Sequence, residues 1–234
     1  MEKIELKESV GLTNREKEVY RTLRTNLEFS GVENRVIAIS SCTPNDGKST
    51  VAYYLASALA ESGKRTLIID ADLRKSVLML RFQVDGKKKG LSHFLSGKDN
   101  LNEVLYMTDK PNLFLLPTGV FPSNPTELLG NGRLEAAMVA LKSTFDYIII
   151  DTPPLGNVID AAVVAKICDA TMLVLASGVT SKGHARSVIN QLKAANSNFL
   201  GVVLNKVDAK TNGYYGKRYG KYYGKYYGNG YGSY

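Results

Sequence analysis

Short, nearly all-apolar runs alternate along the chain with longer amphipathic stretches. The segments RVIAIS (35–40), RTLIIDADLR (65–74, the strand ending at Asp70), NLFLLPTG (112–119, with a turn behind the strand), FDYIIIDTPP (145–154, the strand ending at Asp151), ATMLVLAS (170–177) and NFLGVVLNK (198–206) hold runs with the length and aliphatic content of buried strands. Between them, residues 48–61, 91–106, 126–145, roughly 158–168 and 182–195 carry helical patterns, the third broken around Gly130 and Gly132. Residues 14–30 predict a first helix, in which Val19, Leu23 and Leu27 recur at helical spacing. In 48–61 the packed stripe is Val51, Leu55, Ala58 and Leu59, and Gly63 is its stop signal. Alternation of this kind predicts an α/β fold, a mostly parallel central sheet with helices on both faces. Such sheets bind ligands beyond the carboxyl ends of their strands. The loop 42–49, Asp70 and Asp151 all fall at strand ends, so the pattern gathers them into one site.

The pattern fails after Asp208. Residues 209–234 hold nine tyrosines, seven glycines, five basic residues and no acidic one. Glycine at this density opposes helix and strand, which predicts a flexible tail on a domain spanning 1–208. The tail supplies +5 of the net charge of +8, so the remaining 208 residues carry only +3. A basic surface built for a specific nucleic acid is therefore not indicated. The two cysteines, Cys42 and Cys168, imply no disulfide framework and read as lone buried thiols. No run of 18 apolar residues predicts a membrane span, and the charged N-terminus MEKIELKESV does not resemble a signal peptide. The default expectation is a cytoplasmic protein.

Chemistry concentrates in SCTPNDGKST, at 41–50. The phosphate-loop pattern G-x-x-x-x-G-K-[ST] aligns with Cys42, Thr43, Pro44, Asn45, Asp46, Gly47, Lys48 and Ser49, with Cys42 in place of the first glycine. A strand before it and a helix after it are the context this motif requires. The loop from Thr43 through Thr50 would hold the nucleotide, its available backbone N–H groups cradling phosphate oxygens at a helix N-terminus. Lys48 would reach the β- and γ-phosphates, and the Ser49 hydroxyl would bind magnesium. Asp151, after an apolar strand, is the expected second magnesium handle. Asp70 and Asp72 form a further acidic strand end, from which one carboxylate could orient or deprotonate an attacking hydroxyl. Arg74 either neutralises developing charge or pairs with an aspartate. NKVD at 205–208 invites a guanine-reading role, but DTPP stands where a GTPase switch would be, so Asn205 is read as an adenine contact. His93 and His184 have no metal-ligand cluster around them in the sequence.

The phosphate loop, LIIDADLR and IIIDTPP together resemble the Walker A, Walker A′ and Walker B motifs of the bacterial tyrosine kinases. EVYRTLRTNLEF resembles that family's Glu-x-x-Arg-x-x-Arg helix, on Glu18, Arg21 and Arg24, and GLSHFLSG, LPTGVFPSNPTELL and the tyrosine tail also resemble family segments. The similarity spans nearly the whole chain and is strongest to the soluble kinases of capsule and exopolysaccharide clusters in streptococci and lactic acid bacteria. Two departures stand out: Asn45 where the family often has glycine, and no proline near Ser76.

The resemblance implies a P-loop fold of the partition and cell-division-site ATPase type. It also implies an ATP- and magnesium-dependent protein-tyrosine kinase that phosphorylates its own tail in trans, on Tyr214, Tyr215, Tyr219, Tyr222, Tyr223, Tyr226, Tyr227, Tyr231 and Tyr234. Lys48, Asp70, Asp72 and Asp151 would be catalytic, with magnesium on Ser49, Asp72 and Asp151. Glu18, Arg21 and Arg24, on the helix at 14–30, would line the subunit interface of a ring. Implied partners are a membrane-embedded polysaccharide chain-length regulator that recruits the kinase to the inner membrane face, and a cognate tyrosine phosphatase. The cycle would tune polymer synthesis and export. The alternatives are an ATPase switch of the partition type without tyrosine kinase activity, and a scaffold with a dead nucleotide site. The partition ATPases carry a signature lysine where this chain has Cys42, which counts against them.

Overall fold

The computed structural model describes residues 1–6, 11–81 and 88–207. Asp208 and the tyrosine-rich tail lie outside the described residues.

Eight strands form one sheet in the order β1-β4-β5-β3-β6-β2-β7-β8. They are β1 (Glu2–Ile4), β2 (Val36–Ser41), β3 (Thr66–Asp70), β4 (Tyr106–Thr108), β5 (Leu113–Leu116), β6 (Tyr147–Asp151), β7 (Ala170–Ala176) and β8 (Phe199–Asn205). Every neighbouring pair is parallel except β4 with β5. The helices are α1 (Asn14–Glu28), α2 (Lys48–Glu61), α3 (Val77–Arg81), α4 (Leu91–Leu95), α5 (Leu101–Val104), α6 (Pro125–Leu129), α7 (Arg133–Thr144), α8 (Asp160–Ala165) and α9 (Lys182–Ala195).

Alternation along the central strands fills cores on both faces. Ile37, Ile39, Ile68, Leu115 and Ile149 face α2. Val36, Ala38, Leu67, Ile69, Ile148 and Ile150 pack against Leu134, Met138 and Leu141 of α7 and Val164 of α8. Helix α2 is buried on nearly all sides, because α1 lies over its outer face. The ring centroids of Tyr20 and Tyr54, one from each helix, are 5.1 Å apart.

Some expectations need correction. Residues 91–106 are not one helix. Two short helices are separated by a turn at 96–100, where Asn100 N–H bonds the Glu103 carboxylate at 2.7 Å, and Tyr106 already belongs to β4. The buried stripe of α1 is Tyr20, Leu23 and Leu27, whereas Val19 is 60% exposed. The short elements β1, β4 and α3 were not anticipated.

Candidate active site

The strands β2, β3 and β6 are adjacent, and Asp70 and Asp151 are direct partners in the β3–β6 register. The sheet thus places two carboxylates side by side at its carboxyl edge, next to the loop that leaves β2. Helix α2 starts inside that loop. Its N-cap, Gly47, is left-handed (φ 97°), and a Cβ there would lie 2.0 Å from Asn205 Nδ2, so only glycine fits. Asn45 is also left-handed (φ 67°), which explains why glycine suits that position; asparagine tolerates it better than most residues. Gly156, after β6, packs on the loop from outside: a Cβ there would meet the Cys42 carbonyl at 2.1 Å.

Lys48 is buried and points into the acidic cluster. Its Nζ lies 3.1 Å from Asp72 Oδ2, 3.2 Å from Ser49 Oγ and 3.6 Å from Asp151 Oδ1. Burial opposes its charge, but the carboxylates of Asp151 and Asp72 outweigh this and hold its pKa above the usual lysine range. Asp151 is fully buried, and among the described residues neither of its carboxylate oxygens has a hydrogen-bond partner. Burial raises its pKa, with the Lys48 ammonium opposing. Ser49, Asp72 and Asp151 therefore converge on one cation. A set of two carboxylates and a hydroxyl is the hard-oxygen chemistry that magnesium takes, so these residues fit the ion.

Asp70 is fully buried and held from two sides. Its Oδ1 accepts the Asp72 N–H at 3.2 Å, and its Oδ2 accepts the Ser76 hydroxyl. Thr118 Oγ1 donates to the Asp70 carbonyl at 3.1 Å. Burial and the neighbouring Asp151 push the Asp70 pKa up to about 7. Asp72 uses Oδ1 to accept the Lys75 N–H at 3.0 Å and leaves Oδ2 for Lys48. Both aspartates thus shape the turn after β3 while presenting oxygens to the site.

Other expected contacts are placed differently. Arg74 is committed to Asp160, with Nε to Oδ2 at 2.7 Å and Nη2 to Oδ1 at 3.0 Å, and Nη2 also reaches Thr126 Oγ1 at 2.9 Å. It pairs with an aspartate rather than joining the Lys48 cluster. The Asn205 amide donates to the Asp46 carbonyl at 2.9 Å, so it braces the loop. Asp46 turns its carboxylate onto backbone amides, and Cys42 is fully buried, its thiol pushed up to about 11 by burial and by Asp46. Glu18 and Arg21 form an exposed pair at 3.3 Å, but Arg24 folds back to the Ala58 carbonyl at 3.2 Å; the three do not make one free row. Sequence reasoning missed Ser76, Thr118, Thr126 and Asp160. Ser76 and Thr118 lie outside the helices and strands, Thr126 in α6 and Asp160 at the start of α8, and their approach to the turn after β3 is a tertiary matter.

An AAA-domain family profile matches residues 34–200. Tyrosine-protein kinase CpsD of Streptococcus agalactiae is 43% identical over 206 residues, covering 86% of this chain and 90% of that protein. The chain belongs to the bacterial tyrosine-protein kinases. The kinase domain of the Escherichia coli tyrosine kinase ETK is 36% identical with a TM-score of 0.78, covering 82% of this chain and 75% of that one. The septum site-determining protein MinD of Pyrococcus horikoshii, solved with Mg-ADP, is 30% identical with a TM-score of 0.63, covering 73% and 69%. Kinase and MinD-type ATPase thus share this sheet and loop. Among the described residues, no helix is long and apolar enough to cross a membrane.

Proposed function

We propose that this chain transfers the terminal phosphoryl group of ATP to tyrosine hydroxyls, chiefly those of its own residues 214–234 on a neighbouring copy. The observation that carries this reading is the convergence of Lys48, Ser49, Asp72 and Asp151 beside Asp70 at one sheet edge, in a member of the tyrosine-kinase family. Magnesium held by Ser49, Asp72 and Asp151 would neutralise phosphate charge. Lys48, freed from the carboxylates by the incoming triphosphate, would follow the transferring group, where stabilisation counts most. Asp70 is the candidate to receive the phenolic proton as the tyrosine oxygen bonds phosphorus and ADP leaves. Its raised pKa, near neutrality, suits a base that must take and release a proton. Asn205 and the loop 43–50 would seat the nucleotide.

The assembly reading belongs here too. Glu18 and Arg21, exposed on α1, would contact a neighbouring copy in a ring and bring its tail within reach, with Arg24 holding α1 on α2. A membrane-embedded chain-length regulator would recruit and activate the kinase at the inner membrane face, a phosphatase would reset it, and capsule or exopolysaccharide export would be the process tuned. The partition-type switch is disfavoured by the 43% identity to a tyrosine-protein kinase over most of the chain.

The test is anti-phosphotyrosine detection after incubating the purified full chain with MgATP. Wild type should become phosphorylated, and Lys48→Met, folded by circular dichroism, should not. Normal phosphotyrosine on Lys48→Met would remove the site from the mechanism; none on wild type, even with a membrane activator added, would favour the ATPase switch.

A further inference from the structure

A buried carboxylate inside a loop that receives a triphosphate is electrostatically costly, because like charges in a poorly solvated site repel strongly. Asp46 is such a group, 1% exposed. Both partners of its carboxylate are backbone amides: Oδ2 accepts the Thr43 N–H at 2.8 Å and Oδ1 accepts the Ala176 N–H at 3.3 Å. The first bond closes the loop on itself across three residues. The second ties it to the end of β7. Two bonds from the end of β8 complete the attachment, Asn205 Nδ2 to the Asp46 carbonyl at 2.9 Å and Lys206 Nζ to the Asn45 carbonyl at 2.7 Å. Asn45 and Lys206 are both left-handed, at φ 67° and 56°. Non-glycine residues persist in that region where their surroundings over-determine them. The loop is therefore held in an unfavourable backbone shape by fixed contacts to its neighbouring strands.

We propose that Asp46 is a positioning residue that clasps the phosphate-binding loop to the ends of β7 and β8, and that nucleotide affinity depends on this clasp. The proposal rests on the reading that loop 42–49 binds nucleotide. The Asp46 carboxylate touches no phosphate in this scheme. It holds Thr43 and Asn45 so that the following loop amides need no rearrangement when the triphosphate arrives, and pre-organisation of that kind raises affinity. Lys206 makes the same contribution from the surface.

Charge and clasp make opposite predictions for Asp46→Asn, which keeps the shape, removes the negative charge and replaces one acceptor by a donor. Acting as a charge alone, Asp46 would repel the phosphates, and its neutralisation would tighten binding. As a clasp it must weaken binding, because one backbone amide loses its acceptor. Titration of the full chain with MgADP by calorimetry, together with steady-state kinetics, decides. The Kd for MgADP and the KM for ATP should rise together, roughly tenfold, while the KM for a tyrosine-bearing peptide stays unchanged. Lys206→Met, a surface change that spares the core, should weaken MgADP about threefold and serves as the deciding variant if Asp46→Asn does not fold. Asp46→Asn binding MgADP as tightly as wild type or more tightly would overturn the clasp, as would unaltered affinity in Lys206→Met where only that variant folds. Lys48→Met is the control: if it too leaves nucleotide parameters unchanged, the nucleotide-site reading itself has failed.

Discussion

At the scale of single residues, the site is an exercise in opposing charge. Three carboxylates and one ammonium are buried at the edge of a parallel sheet, where none would be stable alone. Lys48 stays charged because Asp151 and Asp72 surround it, and Asp70 is left with the weakest claim on that cation. Another buried carboxylate, Asp160, has its own cation. Burial would raise its pKa, but the hydrogen bonds from Arg74 and Thr126 prevail and hold it below the usual range. A carboxylate with a depressed folded pKa contributes stability that is fully present above its unfolded value near 4 and is lost as pH falls through the folded value. Arg74 is partly solvated, so the contribution is modest. Asp160→Asn should cost about 1–3 kcal/mol at pH 7, read by urea denaturation, and the gap from wild type should narrow as pH drops below about 4. A gap independent of pH would mean that packing, not the ion pair, fixes the loop after β3. In the sequence, Arg74 was legible only as either a charge stabiliser or an aspartate's partner, because Asp160 lies 86 positions away and nothing local announces it.

At the scale of elements, long periodic segments were legible and short ones were not. The pattern gave α2 and α9 with their observed limits, and the core strands β2, β3, β6 and β7 within a residue or two. The strands bury continuous apolar runs and the two helices carry sustained helical periodicity, signals that tertiary context does not reverse. The strand pairs β1–β4 and β4–β5 register over only three and two residue pairs, so their identity comes from partners rather than from propensity. Helix α1 shows the limit of spacing arguments. Glu18, Arg21 and Arg24 recur every three positions, yet the first two face solvent while the third reaches the α2 backbone. This divides their roles in a measurable way. An exposed pair is worth about 0–1 kcal/mol to the fold, so Glu18→Ala with Arg21→Ala should leave the melting temperature within a degree or two. If the pair lies at a subunit contact, the same variant should sediment as a smaller species at concentrations where wild type assembles. Sedimentation identical to wild type would exclude Glu18 and Arg21 from the interface.

At the scale of the whole molecule, the balance of charge lies in the tail, and this makes its count of phosphates a controlling variable. Residues 209–234 carry +5 on their side chains, while the site that would receive their tyrosines holds Asp70, Asp72 and Asp151 around a single lysine. On the proposed function an unmodified tail would be drawn toward the acidic edge of a neighbouring copy, an attraction that extends over about a Debye length of 8–10 Å in ordinary salt. Each phosphate adds roughly −1.5 to −2 charges at neutral pH. Three or four of them reverse the sign, since four contribute about −6 to −8 against +5. Beyond that point the tail is repelled by the carboxylates and by other phosphorylated tails. Nine tyrosines leave ample room to pass it. Because the effect depends on a sum, no single tyrosine should be essential. Individual Tyr→Phe changes should alter assembly little, whereas oligomer stability should fall steeply after about three phosphates per chain. Native mass spectrometry of a stepwise phosphorylated sample reads both quantities at once, and raising the ionic strength should flatten the transition. An assembly that persists unchanged at about six or more phosphates would show that charge does not govern the contact, and would shift attention to the apolar and aromatic character of the tyrosines themselves.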